Sequence, residues 1–190
     1  PWELCDTLGH YWAASRRDLD RKTARHVVTR LIWCVSHGGN LLLNIGPAPD
    51  GSVPKDAIEP LTKVGEWLKE NGDAAYGRMV RPGKGHDQLF GTNGACTASM
   101  KGNTVYLWNW IWPTGGEMAI GGYRSAPKRV YLLKDGTPVQ FEHKGHRILL
   151  KNMPKTSPDK TNNVAVIAME FGGLPGYRFA SYYPQLHYGQ

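Results

Sequence analysis

The residues with chemistry to offer are few. Asn40 and Asn44 bracket Leu41-Leu42-Leu43, and Trp2 and Glu3 stand before Cys5 at the start of the chain. Buried amides need hydrogen-bond partners. The two asparagines therefore either orient a loop at a strand end or satisfy backbone groups around it, and the second role is favoured. Cys5, Cys34 and Cys96 are too widely spaced for a paired metal-ligand motif, and Cys34, in an apolar stretch, reads as a buried thiol. His143 and His146 can meet across a tight hairpin, but two imidazoles make a weak metal signal and read as surface residues. A net charge of +7 and a pI near 9.4 invite a nucleic-acid partner. Arg16, Arg17, Arg21, Lys22 and Arg25, however, share their stretch with Asp18 and Asp20. That mixture reads as a solvated helix face, so no nucleic-acid partner is expected. No apolar run reaches membrane-spanning length, and no membrane span is expected.

The elements that must position these residues follow from periodicity. Leu41 to Leu43 lacks alternation, which predicts a parallel strand buried on both faces. Ahead of it, Ala24, Val27, Val28, Leu31, Ile32 and Val35 recur at helical spacing, with Asp18 as N-cap and Gly38-Gly39 as the stop. After it, Asp50-Gly51 marks a turn, and Pro54 or Pro60 opens a second helix with Leu61, Val64, Trp67 and Leu68 on its apolar face. Asn71-Gly72 ends that helix. The order is loop, helix, buried strand, helix, which is a piece of alternating α/β architecture. One such strand cannot close a parallel sheet, so the chain is expected to be the C-terminal part of something longer. The alternative is a small α+β domain whose sheet the later strands complete.

The character changes near Tyr76-Gly77. From Gln88 the chain reads as short strands. Ala95 to Met100 and Thr104 to Trp112 flank Lys101-Gly102-Asn103, and Arg129 to Leu133 and Val139 to His143 flank Asp135-Gly136. His146 to Leu150 and Val164 to Phe171 follow. This set predicts an antiparallel β-sandwich. The expected division is 1–77 for the α/β portion, 78–171 for the sandwich and 172–190 for an unassigned tail.

Several motifs in the first part share one pattern. They are Trp2-Glu3-x-Cys5, Trp12 with Arg17-Asp18, Gly38-Gly39-Asn40-Leu41-Leu42-Leu43-Asn44-Ile45-Gly46-Pro47, Asp50-Gly51, and Gly65-x-Trp67-Leu68-x-x-Asn71-Gly72 with Tyr76-Gly77. In order and spacing, from Pro1 to Gly77, this resembles the α-L-fucosidases of glycoside hydrolase family twenty-nine. The resemblance implies the last portion of a (β/α)8-type barrel followed by an antiparallel β-sandwich. It implies retaining hydrolysis by two carboxylates, acting on a fucosylated glycan with no cofactor and no metal. The nucleophilic aspartate would lie upstream, in the missing N-terminal half of the barrel, and no aspartate here matches its context. This chain alone would then be inactive.

The resemblance makes Glu3 the candidate general acid/base. Barrel chemistry sits at the carboxyl ends of strands and in the loops beyond them, and Glu3 is expected on such a loop. Trp2 and Trp12 beside it would exclude water and keep it protonated. Both are candidate substrate contacts, with a core role for Trp12 as the alternative. The family's Trp-Gly-Tyr is here Trp12-Ala13-Ala14, so the tyrosine contact is lost. Trp108, Trp110 and Trp112 alternate along a predicted strand and share one face, as a carbohydrate platform or, preferentially, as sandwich core or seam. The alternative function is a non-catalytic carbohydrate-binding protein on the same fold. Such families often act outside the cytoplasm. Linkage preference and oligomeric state stay open.

Overall fold

The computed structural model describes residues 2–15, 17–18, 20–77 and 96–175. The α/β part runs β1 (Glu3–Thr7), α1 (Ala24–Ser36), β2 (Asn40–Asn44) and α2 (Lys55–Asn71), closed by a 3-10 turn over Gly72–Ala74. The β part runs β3 (Cys96–Lys101), β4 (Thr104–Asn109), β5 (Met118–Gly121), β6 (Arg129–Leu132), β7 (Gln140–Lys144), β8 (Arg147–Lys151) and β9 (Ala165–Glu170). The expected boundary region over 78–95 and the tail beyond 175 lie outside the described residues.

α1 forms where the helical spacing predicts, and Val28, Ile32 and Val35 are buried along it. Its N-cap is Thr23, not Asp18. The Thr23 hydroxyl accepts from the His26 amide at 3.2 Å, in extended backbone suited to a cap. Asp18 is occupied elsewhere, accepting from the His10 amide at 2.9 Å. The stop is as expected. Gly38 turns left-handed at φ 74°, and the Gly39 amide returns to the Cys34 carbonyl at 2.8 Å. α2 starts after Pro54, and Pro60 lies inside it. Trp67 and Val64 are buried on its inner face, with Leu61 and Leu68 packed alongside.

β1 and β2 pair in parallel, with Glu3 opposite Asn40, Cys5 opposite Leu42 and Thr7 opposite Asn44. Two expectations change here. Glu3 opens a strand and does not sit on a loop. The Leu41–Leu43 run is not buried on both faces: Leu43 packs on the helix side, while Leu42 is 52% exposed. α1 packs against β2, so one face is covered, and among the described residues no element covers the other. Among the described residues none of the later strands joins this sheet, which speaks against the small α+β alternative.

The β part is two antiparallel sheets, ordered β3-β4-β9-β6 and β5-β8-β7. Gly102 and Gly145 supply the left-handed positions of the β3–β4 and β7–β8 hairpins. The Asp135-Gly136 turn forms too, with the Gly136 amide on the Leu132 carbonyl at 2.9 Å. It closes a short hairpin of β6 with residues 137–139, the Leu132 amide donating to the Thr137 carbonyl and the Val139 amide to the Val130 carbonyl, each at 2.9 Å, around the Tyr131–Pro138 bridge. β7 then leaves that ladder and joins the second sheet.

The larger sheet is buried on both faces. Val105, Leu107, Ile167 and Met169 face the smaller sheet, where Ile120, Ile148 and Leu150 meet them. Tyr106, Trp108, Val166 and Ala168 face the helices, against Val28, Ile32, Val64 and Trp67. The layers are therefore helices, sheet, sheet. This explains why β9 reads as a continuous apolar run. The tryptophan row is broken because β4 ends at Asn109. Trp108 stacks on Trp67 in the helix seam, with ring centroids 5.7 Å apart. Trp112 lies in the inter-sheet core and donates to the Pro154 carbonyl at 2.7 Å.

Candidate functional site

Because β1 and β2 are parallel, their carboxyl ends, Thr7 and Asn44, lie at one edge. In parallel α/β architecture ligands bind beyond this edge. Strand alternation puts Glu3, Cys5 and Thr7 on one face with Asn40, Leu42 and Asn44. That is the face the helices leave open.

The loops beyond the strands are tied to this edge by backbone bonds and one amide. The Leu8 amide donates to the Asn44 carbonyl at 2.8 Å, and the Ala14 amide to the Pro47 carbonyl at 3.3 Å. Asn44 donates through Nδ2 to Thr7 Oγ1 at 3.0 Å and to the Trp12 carbonyl at 2.8 Å. The Thr7 hydroxyl donates onward to the Tyr11 carbonyl at 3.1 Å. Asn44 thus holds the loop that presents Tyr11 and Trp12, which are 45% and 57% exposed. Asn44 fills both roles foreseen for the asparagines, because the group it satisfies is the Trp12 backbone carbonyl and that bond holds the loop.

Carboxylates brace the same loop from behind. Asp18 accepts from the His10 amide and pairs with Arg21 at 3.4 Å, and Arg21 reaches Asp56 on α2 at 2.9 Å. Gly9 is required beside it, since a Cβ there would stand 2.0 Å from Asp18 Oδ2. Asp6 points to the helix side, 3.2 Å from Lys22 and 3.6 Å from Arg30. Lys22 also donates to the Thr7 carbonyl. Burial pulls the Asp6 carboxyl upward, but the Thr7 amide, the Lys22 hydrogen bond and the charges of Lys22 and Arg30 together hold it below the usual carboxylate range. Asp6, Asp18 and Asp56 are therefore engaged in ion pairs that build the rim.

The three residues singled out from the sequence are not gathered in one place. Trp12 is at the carboxyl rim. Glu3 is at the opposite end of β1, four residue steps from Thr7, about 13 Å. Trp2 is with Glu3. Its Nε1 donates to the His37 carbonyl at 3.1 Å, and its ring meets Trp33 edge-on at 5.4 Å. Trp33 in turn stacks on His37 at 4.8 Å. Thr7, Asp6, Arg21 and Lys22 were not foreseen as rim residues. Asp6 and Thr7 end β1, and Arg21 and Lys22 stand just before α1, so position beside an element boundary is their sequence signal. His143 does not meet His146 in a metal site: its Nε2 lies 3.0 Å from the Tyr123 carbonyl, and no group of three metal-ligating side chains occurs among the described residues.

Comparison with known proteins supplies the family. The α-L-fucosidase family model matches residues 1–73. The chain is 32% identical over 145 residues to human plasma α-L-fucosidase, covering 74% of this chain and 31% of that protein. It resembles the solved α-L-fucosidase isoenzyme 1 from Paenibacillus thiaminolyticus with a TM-score of 0.76 at 31% identity, over 90% of this chain and 39% of that one. The Thermotoga maritima α-fucosidase matches with a TM-score of 0.71 at 26% identity, over 88% and 39%. The chain therefore spans about a third of the length of the relatives it matches.

Proposed function

Since the chain belongs to the α-L-fucosidase family and aligns with the C-terminal part of longer members, we propose that the protein containing it hydrolyses α-L-fucosyl linkages of glycans. The observation that carries this is the carboxyl rim, where Asn44 holds the loop that presents an exposed Trp12. An exposed indole beside a strand terminus suits the apolar face of a sugar ring. Two further carboxylates would complete a retaining double displacement, one attacking the anomeric carbon and one protonating the leaving oxygen. The nucleophile belongs to the part of the barrel upstream. The open face of β1 and β2 is the surface that part would cover, and the β-sandwich braces the helices from the other side.

Glu3 fits this scheme less well than the motif suggests. It is exposed, and it opens β1 at the end away from the rim. Our reading is that this chain contributes the sugar-facing aromatic and the loop scaffold, and that the acid/base is not Glu3. The test is turnover of aryl α-L-fucopyranosides by the full-length protein. Glu3→Ala should lower kcat/KM alike for substrates with good and poor leaving groups. A loss confined to poor leaving groups would reinstate Glu3 as the acid. Trp12→Ala should raise KM about tenfold, the scale of one lost aromatic contact. Binding of fucosides without any turnover would favour the non-catalytic carbohydrate-binding alternative.

A further inference from the structure

Arg21 stands two residues ahead of the Thr23 cap of α1. Its place in the chain is pinned to the rim, because the amide of the next residue, Lys22, donates to the Leu8 carbonyl at 2.8 Å. From there its side chain, only 11% exposed, meets three separate segments. Nε donates to Asp56 Oδ2 in the first turn of α2 at 2.9 Å. Nη1 lies 3.4 Å from Asp18 Oδ2, on the loop after β1, and 3.5 Å from the carbonyl of Ile45, the residue after Asn44.

Gly46 shows how near this guanidinium comes to Trp12. It is buried and left-handed at φ 61°. A Cβ there would stand 3.5 Å from Arg21 Nη1, 3.6 Å from the Ala13 carbonyl carbon and 3.6 Å from the Tyr11 carbonyl oxygen. Those two backbone groups flank Trp12. The guanidinium is therefore separated by one buried glycine from the backbone on either side of the exposed indole.

The charges explain why an arginine stands here. The Asp18 side chain is 1% exposed, and a carboxylate so buried needs a counter-charge. Asp56 needs none for burial, being half exposed, yet the Arg21 hydrogen bond holds its carboxyl below the usual carboxylate range. A planar guanidinium can face two carboxylates and a carbonyl from one fixed position, whereas an ammonium on a flexible stem cannot. Asn44 fixes the Trp12 carbonyl from the strand, and the Asp18–Arg21 pair fixes the His10 end of the same loop against α2. On the fucosidase reading above, we infer that Arg21 is a positioning residue for the sugar contact: it sets sugar affinity through Trp12, by locking the backbone around that indole to the first turn of α2.

The test is a double-mutant cycle in the full-length protein on an aryl α-L-fucoside. Arg21→Lys should raise KM about fivefold and keep kcat within about twofold, because the Trp12 contact is made alike in ground and transition states. A merely structural role would instead lower apparent kcat, through loss of folded enzyme, at unchanged KM. Combined with Trp12→Ala, Arg21→Lys should add nothing to the roughly tenfold rise in KM of Trp12→Ala alone, since it acts through that indole. If Arg21→Lys fails to fold, Asp56→Asn at its exposed position replaces it, with a rise of about threefold. Amide hydrogen exchange over residues 10–14 should also speed about tenfold in the variant while exchange in α1 is unchanged. The proposal is overturned by additive effects of Arg21→Lys and Trp12→Ala on KM, by a fall in kcat at constant KM, or by unaltered exchange over 10–14. Exchange needs no substrate, so a parent without fucosidase turnover sinks the functional reading alone, and Arg21 is then judged on exchange.

Discussion

Asn44→Ala is the sharpest probe of the rim. The side chain makes two hydrogen bonds, to Thr7 Oγ1 at 3.0 Å and to the Trp12 carbonyl at 2.8 Å. Each neutral bond of this kind contributes about 1 kcal/mol net, so the pair is worth about 2 kcal/mol. Asn44 is half-buried, so the freed Trp12 carbonyl can recover water, and the full penalty of a buried orphan does not apply. If the energy serves to hold the loop in its binding position, its loss lowers kcat/KM by up to about 30-fold. Asn44→Asp should be worse. It keeps the size but puts carboxylate oxygens where the Trp12 carbonyl expects a donor. Steady-state kinetics on an aryl α-L-fucoside, with thermal unfolding of the same samples, distinguishes loop positioning from general destabilisation. Kinetics of Asn44→Ala within twofold of the parent would refute the claim that this amide positions the rim, and so would equal effects of Ala and Asp.

Other substitutions test the scaffold in the full-length protein. Trp67→Ala removes the stack on Trp108 and the bond to the Val164 carbonyl, and should cost about 3–5 kcal/mol by chemical denaturation; Trp67→Phe should recover most of it. Gly9→Ala drives a methyl into an Asp18 carboxylate that Arg21 and the His10 amide hold in place, so both the melting temperature and kcat/KM should fall. Asp6 titrates below its unfolded value, so its contribution to stability is present above about pH 4 and is lost as pH falls through the folded pKa. The difference in melting temperature between the parent and Asp6→Asn should accordingly be constant near neutrality and shrink below about pH 4.

Much of the fold was legible in local pattern. α1 and α2 announce themselves through helical spacing of Val27, Val28, Ile32, Val64 and Trp67, and the hairpins through Gly102 and Gly145. β5 was missed because it is four residues long with glycines at its end and just beyond. Asp18 and Thr23 are both good capping residues. The choice fell to Thr23 because Asp18 is drawn to the His10 amide and Arg21, partners fixed only once the loop folds back. The Asp135-Gly136 turn was visible, but not that the chain changes sheets after it. That depends on where the second sheet packs.

The sequence by itself determined the family and the order of the elements, because motif spacing and side-chain alternation are properties of the local chain. Only the tertiary structure decided that Glu3 and Trp12 stand at opposite ends of one strand. Parallel register with β2 sets which end carries the loops, and register is a contact between segments far apart in sequence. It also decided that Trp108 belongs to the helix seam and Trp112 to the inter-sheet core. Alternation assigns a residue to a face only while the strand lasts, and packing determines where the strand ends and what each face meets.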